Sequence, residues 1–233
     1  MRENYSKERV RFLRKNKEYD ALYRYCSSFA LEKNVDAFFE LSKCYLHGWG
    51  VSKNEWHAFM IHNQLVQQDY PKAFYALAWD YYEGKGVSIN LRKAYQNFVL
   101  AARKGIVDAM FNVGIFCYNG LGIKKDDTQA IYWFTQAAAL GHSRAQFNLG
   151  ICYEKGKGVL PDPIQANYWL EQACANGDEL ANRYLKTKDL DQSKRFMEIL
   201  ESLDQIQVVE SDRLWLDQIR EKLNQMEEKI NGN

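Results

Sequence analysis

The sequence predicts an all-α protein: a right-handed α-solenoid of helix-turn-helix repeats with non-repeat helical caps. The same pattern returns every 36 residues with no insertion or deletion between copies. Only three prolines occur among 233 residues, which leaves room for long helices. The clearest marker of the period is Gly-x-Gly followed by valine or isoleucine, at residues 48–51, 84–87, 120–123 and 156–159.

Each repeat is predicted to begin with a first helix that ends at a glycine. In residues 145–155, apolar residues such as Ala145 and Leu149 fall mostly on one broad helical face. Gly156 follows, and glycine adopts the left-handed conformation of a helix terminus without a Cβ penalty. The second glycine, Gly158, lets the chain turn back close against its neighbour.

The second helix of each repeat is predicted to begin four residues after the second glycine. The residue there always carries a side chain that can accept hydrogen bonds from free helix N–H groups: Asn54, Asn90, Asp126 or Asp162. Pro163 fits the first helical position, where its missing N–H is not needed. Small and large residues then alternate, as in Ala130, Trp133 and Phe134, which favours close packing of paired helices.

Residues 145–159, followed by Asp162, Ala166, Trp169, Ala173 and Gly177, resemble a Sel1-like repeat almost position for position. The resemblance covers roughly residues 36–185 and is strongest in copies three and four. Copy one departs from the pattern, with Ser42 and Asp69 in place of glycines and Leu65 in place of an alanine. Tetratricopeptide repeats are related, but their usual period is about 34 residues. The resemblance implies stacked helical hairpins that act as a protein-binding scaffold.

The repeat pattern divides the chain into three predicted parts. Apolar positions in residues 5–16 and 19–32 indicate a helical pair before the repeats. After the repeats, two amphipathic helices are expected, one carrying Phe196 to Ile206 and one carrying Leu216 to Ile230. These either cap the solenoid or coil with a partner or a second copy. The predicted parts are an N-terminal cap (1–35), repeats (36–71, 72–107, 108–143, 144–178 and a partial copy 179–186, together about 36–185), and a C-terminal extension (187–233).

Composition disfavours nucleic-acid and membrane partners. The chain has 31 basic and 30 acidic residues, whereas a nucleic-acid-binding domain is usually strongly basic. It has no apolar stretch of 18 residues and no apolar segment near its start, so a cytoplasmic location is expected. The five cysteines form no C-x-x-C pair and fall in predicted helices, which indicates buried reduced thiols.

The sequence offers no motif for catalysis, metal binding or a cofactor. The Gly-x-Gly segments follow helices instead of strands and lack the third glycine of a dinucleotide loop. His57 and His62 lie about 140° apart around a helix, so they are poorly placed to share a metal ion. We therefore expect no enzyme activity, no cofactor and no metal.

First-helix positions that vary between repeats are the candidate partner-binding residues, because first helices line the concave surface of stacked hairpins. Its middle is an apolar strip of Trp79, Tyr82, Ile115 and Tyr118, a composition typical of binding hot spots. The alternative is that these aromatics pack against the C-terminal helices. The full predicted set is Lys43, Leu46, His47, Trp79, Tyr82, Glu83, Ile115, Tyr118, Asn119, Ile151, Glu154 and Lys155.

The expected function is a non-catalytic scaffold or adaptor that binds a protein or peptide in this groove. A bacterial immunity protein that neutralises a toxin or effector is a narrower alternative. An enzyme, or an RNA-binding helical repeat, remains a lesser one. The protein is expected to be a monomer, or a dimer through its C-terminal helix. Trp49, between two turn glycines, is either an exposed contact or packs under the N-terminal cap.

Overall fold

The structure is a computed structural model that describes residues 4–204 and, beyond them, only Glu221, Asn224, Gln225 and Glu228. Between residues 192 and 204, only the side chain of Lys194 is described. Residues 4–204 form eleven α-helices and no strand. The all-helical prediction is confirmed.

The helices alternate between a first-helix layer and a second-helix layer. Each of the eight helices within the four repeats is 13 residues long. The first layer holds α1 (Lys7–Lys15), α3 (Val35–His47), α5 (Pro71–Glu83), α7 (Val107–Asn119), α9 (Ser143–Lys155) and α11 (Glu179–Asp204). The second layer holds α2 (Tyr19–Leu31), α4 (Glu55–Gln67), α6 (Leu91–Arg103), α8 (Asp127–Ala139) and α10 (Pro163–Ala175).

The two turn glycines have the separate roles that the sequence indicates. Gly84 ends α5 in the left-handed conformation, with φ of 78°. Gly86 lies against the preceding hairpin, where an added Cβ would stand 2.3 Å from the backbone carbonyl oxygen of Glu55. A side chain is therefore excluded at Gly86 by contact as well as by its φ of 69°. The same approach to the preceding second helix recurs at the other second glycines: Gly50, Gly122 and Gly158.

All four predicted N-caps are confirmed. The side-chain oxygen of Asn54 accepts a hydrogen bond of 2.9 Å from the backbone N–H of His57. Asn90 and Asp126 accept equivalent bonds from Lys93 and Gln129. Asp162 also caps its helix, and Pro163 takes the first helical position. These bonds satisfy donors that a helix start leaves free.

Copy one keeps the turn geometry despite its departures from the pattern. Asp69 adopts φ of 56°, close to the left-handed conformation of Gly105, which holds the equivalent position in copy two. Aspartate is among the few residues besides glycine that enter this region at modest cost. The turn is therefore retained without a glycine.

The core runs along the interface between the layers. Buried alanines and phenylalanines of α6 and α8 pack against α7, where Gly114 faces Phe134. A Cβ on Gly114 would stand 2.5 Å from that ring, so the small residue allows the two helices to approach closely. Four of the five cysteines are buried and all are unbridged.

The solenoid is extended by helices at both ends. The hairpin of α1 and α2 precedes the repeats, as expected, and Arg14 of α1 contacts Glu40 of α3. After the repeats, α11 runs without a break from Glu179 to Asp204, so residues 186 and 187 lie inside one helix. The expected helix from Leu216 to Ile230 lies outside the continuously described residues. Among the described helices, none is long and apolar enough to cross a membrane.

Candidate functional site

The structure leaves all twelve predicted partner-binding residues at least partly accessible. None of them is buried, and Tyr82, with 37% of its surface exposed, is more accessible than Trp79 or Tyr118. Four of the six polar members are also exposed: His47, Glu83, Asn119 and Lys155. We call the surface formed by these twelve residues the first-helix groove.

An aromatic cluster occupies the middle of the first-helix groove. The rings of Trp79 and Tyr82 meet edge to face, with centroids 5.4 Å apart. Tyr82 also reaches across to Phe116 of α7 at 5.7 Å, and Trp79 packs edge to face on Phe98 at 5.5 Å. Trp79 is therefore anchored in the core, while Tyr82 presents its ring to solvent.

The strip continues on α7. Ile115 and Tyr118 are half-buried and pack against the same core as Trp79. The ammonium of Lys125 lies 5.1 Å from the centre of the Tyr118 ring, within cation–π range. Three of the four strip residues thus share one core, and Tyr82 joins them through its contact with Trp79.

The N-terminal end of the groove contains a small ionic network. The carboxylate of Glu40 pairs with Arg14 of α1 and, at 2.8 Å, with Lys43. Lys43 also lies 4.9 Å from the centre of the Phe39 ring. Two cations therefore share one carboxylate, which leaves this end with a local excess of positive charge.

At the opposite end, Glu154 is engaged by α11. Its carboxylate accepts hydrogen bonds from the Tyr184 hydroxyl and, at 2.8 Å, from the Lys188 ammonium. Burial raises the pKa of Glu154, but these two donors outweigh that effect and hold the pKa below its ordinary value. Glu154 therefore holds α11 against α9.

Trp49 packs under the N-terminal helices, which was one of the two readings of the sequence. Its indole stacks on Tyr19 of α2 at 5.4 Å, with ring planes 4° apart, and on His47 at 4.5 Å. The Arg14 guanidinium lies 5.4 Å from the indole. Burial lowers the pKa of His47, and nearby cations, Lys85 first among them, lower it further. His47 is therefore more weakly basic than an ordinary histidine.

The structure also shows a buried polar chain that the sequence analysis did not identify. The hydroxyl of Ser42 on α3 lies 2.8 Å from Nε2 of His62 on α4. Nδ1 of His62 lies 2.6 Å from a carboxylate oxygen of Asp80 on α5. The exposed fractions of Ser42, His62 and Asp80 are 0%, 1% and 2%. We call these three residues the polar junction, because they join repeat one to repeat two.

The polar junction has the residue types of a serine hydrolase triad but not its arrangement of protons. Ser42 Oγ lies 2.7 Å from the carbonyl oxygen of Phe39, which can only accept, so the hydroxyl donates there. Nε2 of His62 must then donate to Ser42, whereas a hydrolase needs the serine to donate to the histidine. The hydroxyl is also inaccessible to a substrate, so the junction is structural.

One proton lies between His62 and Asp80, whichever of the two atoms holds it. Burial raises the pKa of Asp80, and the hydrogen bond with His62 offsets part of that increase. The pair is neutral as a unit with the proton on either residue. A neutral, hydrogen-bonded pair is the form in which such groups are tolerated in a core.

The repeat register explains why these residues meet. Position 62 corresponds to Phe98 in the next copy, and position 80 corresponds to Phe116. The rings of Phe98 and Phe116 are in contact at 5.3 Å, so the same two positions meet at successive junctions. Aligning the copies and noting that His62 and Asp80 replace aromatic residues would have revealed the pair.

Among the described residues, no three His, Cys, Asp or Glu side chains come together as a metal site. The buried thiols of Cys117 and Cys152 have raised pKa values, about 11 for Cys152, because burial disfavours the thiolate. These thiols are therefore poor nucleophiles at neutral pH.

Helical hairpins stacked one on the next define the class of the protein: an α-solenoid of helical repeats. The family model described as Sel1 repeat matches four times, at residues 35–70, 71–106, 107–142 and 143–178. The chain belongs to the Sel1 repeat family. Proteins of this family are generally non-catalytic repeat scaffolds that mediate protein–protein interaction. Each matched range begins at the first helical residue, one position before the start expected from the sequence.

Solved structures agree with this assignment. A Sel1 repeat protein from Oxalobacter formigenes is 30% identical, with a TM-score of 0.68 over 72% of this chain and 69% of that one. The protective antigen c5321 of uropathogenic Escherichia coli, which has an SLR fold, is 28% identical with a TM-score of 0.69; the match covers 72% of this chain and 36% of c5321.

A third likeness is to immunity protein Pa5087 from Pseudomonas aeruginosa. It is 20% identical with a TM-score of 0.47, over 70% of this chain and 60% of that one. This likeness is too distant to bear on function. No curated protein matched the chain.

Proposed function

We propose that the protein is a non-catalytic scaffold that binds a partner protein or peptide in the first-helix groove. Its binding residues would be the twelve that define this groove, with Trp79, Tyr82, Ile115 and Tyr118 as the apolar centre. Neutralising a toxin or effector would be one instance of this activity, and recovery of a toxin as the bound partner would identify it.

The single observation that carries the proposal is the exposed ring of Tyr82 beside the anchored ring of Trp79. A rigid aromatic pair loses little conformational entropy when a partner covers it, which is why such residues dominate binding energies. The described part of α11 contacts Glu154 at the end of the groove and leaves Tyr82 exposed. Within residues 4–204, the ring of Tyr82 is therefore left open to a partner.

The proposal is tested by removing the exposed ring and measuring capture. The wild type, Tyr82→Ala and Tyr132→Ala are immobilised in turn, and bound proteins from an extract of the native cells are quantified by mass spectrometry. Tyr132 is the matched control, because it is a helical tyrosine, 52% exposed, on the outward side of α8. Tyr82→Ala should reduce recovery of the specific partner at least about tenfold, the loss expected at a hot spot.

Tyr132→Ala should leave recovery unchanged. Thermal unfolding of all three proteins shows whether a loss of capture reflects a loss of folding. Equal recovery by the wild type and Tyr82→Ala would show that the first-helix groove is not the binding surface.

A further inference from the structure

A concave surface lies in repeat one, on the opposite side of α3 from the first-helix groove. It is a cleft of about 560 Å³ between α3 and α4, with Phe38, Leu41 and Ile61 among its lining residues. On α3, residues 38, 41 and 45 point roughly 160° away from the groove positions 43, 46 and 47. The cleft and the groove are therefore separate surfaces.

The cleft continues into a neighbouring hollow. The second hollow measures about 300 Å³ and shares Phe38 and Gln64 with the first. It is bounded by Ala30 at the end of α2. Both volumes lie within the range of ordinary ligand pockets, about 300–1,000 Å³. Together they provide an elongated channel instead of a single enclosed cavity.

The repeat register shows what is missing from this cleft. Ile61 occupies the position of Trp133 in copy three and Trp169 in copy four, while copy two has Asn97. Both tryptophans are half-buried and pack against the core. The fold therefore accommodates an indole at this position in two repeats, and in copy one a smaller side chain leaves the space open.

The lining is suited to an aromatic group attached to a neutral chain. Its floor is apolar, and Met60, at its edge, is 45% exposed. Its rim carries the amides of Asn63, Gln64 and Gln67, which can pair with backbone N–H and C=O groups or accept from an indole N–H. No carboxylate, lysine or arginine lines this cleft. Inside the cleft a charged ligand would therefore find no fixed compensating charge, and Lys33 of the neighbouring hollow is the one such charge among the residues that line the channel.

We propose that the cleft binds a tryptophan side chain presented by an uncharged segment of a partner polypeptide. The partner's indole would take the place that Trp133 and Trp169 fill in their own repeats. The amide rim would bond the backbone of the segment. Burial of an aromatic ring supplies most of the affinity, and the amides select a polypeptide over a free aromatic molecule.

The test uses the full chain, labelled with ¹⁵N, and amide chemical shifts. The probes are N-acetyl-tryptophanamide, the pentapeptide Gly-Gly-Trp-Gly-Gly, and N-acetyl-alaninamide as the reference. Both tryptophan probes should shift amides near Phe38 and Gln64 in a saturable way, with a dissociation constant of about 1 mM for the smaller one. The pentapeptide should bind at least about threefold more tightly, since it also engages the rim.

A larger side chain inside the cleft should weaken this binding. Ile61→Trp introduces the residue that copies three and four have at this position. It should weaken the binding of both tryptophan probes at least about tenfold. Leu140→Trp, which adds an indole at a position 60% exposed outside the cleft, should leave affinity within about twofold.

A second pair of variants does not touch the core. Gln64→Arg places a charge on the rim, and Gln136→Arg makes the same change at the equivalent exposed position of copy three. Only Gln64→Arg should weaken binding. The proposal is wrong if the tryptophan probes cause no saturable shifts at this cleft. It is also wrong if they bind Ile61→Trp and Gln64→Arg as tightly as the wild type. Equal affinity of the two tryptophan probes would overturn the polypeptide part alone.

Discussion

At the scale of single residues, the polar junction is the main departure from the repeat pattern. Later copies join at the same positions through apolar contacts, whereas repeat one joins repeat two through Ser42, His62 and Asp80. Ser42 Oγ, both ring nitrogens of His62 and one carboxylate oxygen of Asp80 are hydrogen-bonded, so the polar junction is tolerated in the core. Removing one member would leave a buried group without its partner. The resulting loss of stability is far larger than the stability that the intact polar junction contributes.

Changing His62 alone should therefore destabilise the protein strongly. In His62→Phe, the carboxylate of Asp80 has no partner, and the free energy of unfolding should fall by about 3–5 kcal/mol. The triple variant Ser42→Gly, His62→Phe, Asp80→Cys installs the residues of the junction between copies three and four, Gly114, Phe134 and Cys152. Its free energy of unfolding should lie within about 1 kcal/mol of that of the wild type, because replacing a buried polar pair with apolar residues often leaves stability unchanged.

Urea denaturation followed by circular dichroism measures both changes. A triple variant as unstable as the single one would show that the junction contributes more than the mutual satisfaction of its buried groups.

At the scale of whole elements, the turn after each first helix ties one hairpin to the preceding one. Gly86 belongs to the second repeat, yet its nearest neighbours are backbone atoms of Glu55 and Trp56 in the first. Neighbouring hairpins are thus held together by backbone contact in addition to side-chain packing.

The contribution of this contact can be separated from that of backbone conformation. Gly86 and Gly105 both have positive φ, 69° and 84°, but a Cβ at Gly105 would meet nothing within 4 Å. Gly105→Ala should lower the free energy of unfolding by about 1–2 kcal/mol, the cost of the left-handed conformation. Gly86→Ala should cost about 1–3 kcal/mol more, since its neighbours are backbone. Equal losses in urea denaturation would show that the turn can move away.

The contact between α9 and α11 should depend on pH through Glu154. Its folded pKa lies below the unfolded value of 4.5, so its contribution is fully present above pH 4.5. That contribution is lost as pH falls through the folded pKa. Glu154→Gln should therefore lower stability by about 1 kcal/mol at pH 7 and by little at pH 3.

The readout is hydrogen exchange of α11 amides together with urea denaturation. Glu171→Gln, at an exposed site on α10, is the control and should have an effect within about 0.5 kcal/mol at either pH. A difference between Glu154→Gln and the wild type that does not shrink at low pH would contradict the assigned role of the carboxylate.

At the scale of the whole molecule, the period of the sequence predicted the eight repeat helices, their caps and both kinds of turn glycine. These features depend on local chemistry that recurs in each copy, such as Asn54 at a helix start. The accessibility of the first-helix groove followed from the same register. The polar junction was not predicted, because Ser42, His62 and Asp80 lie 18 to 20 residues apart on different helices.

The packing of Trp49 and the cleft beside Ile61 also required three-dimensional structure. The sequence left two places for Trp49, and only the stacking of its ring on Tyr19 distinguishes them. The cleft results from the absence of a large side chain at Ile61. Whether the missing volume stays open depends on whether a neighbouring side chain fills it. Sequence patterns indicate which groups can pack, whereas voids depend on the final separation of helices.

The polar junction also restricts how this array can evolve. In a solenoid whose interfaces are all alike, copies can be permuted, duplicated or excised with little penalty. His62 needs a neighbour that carries a strong hydrogen-bonding group at the position of Asp80, whereas copies three and four have Phe116 and the weakly bonding thiol of Cys152 there. Among the four complete repeats, repeat two is therefore the successor that suits repeat one, and recombination that separates them would leave a buried histidine without its partner.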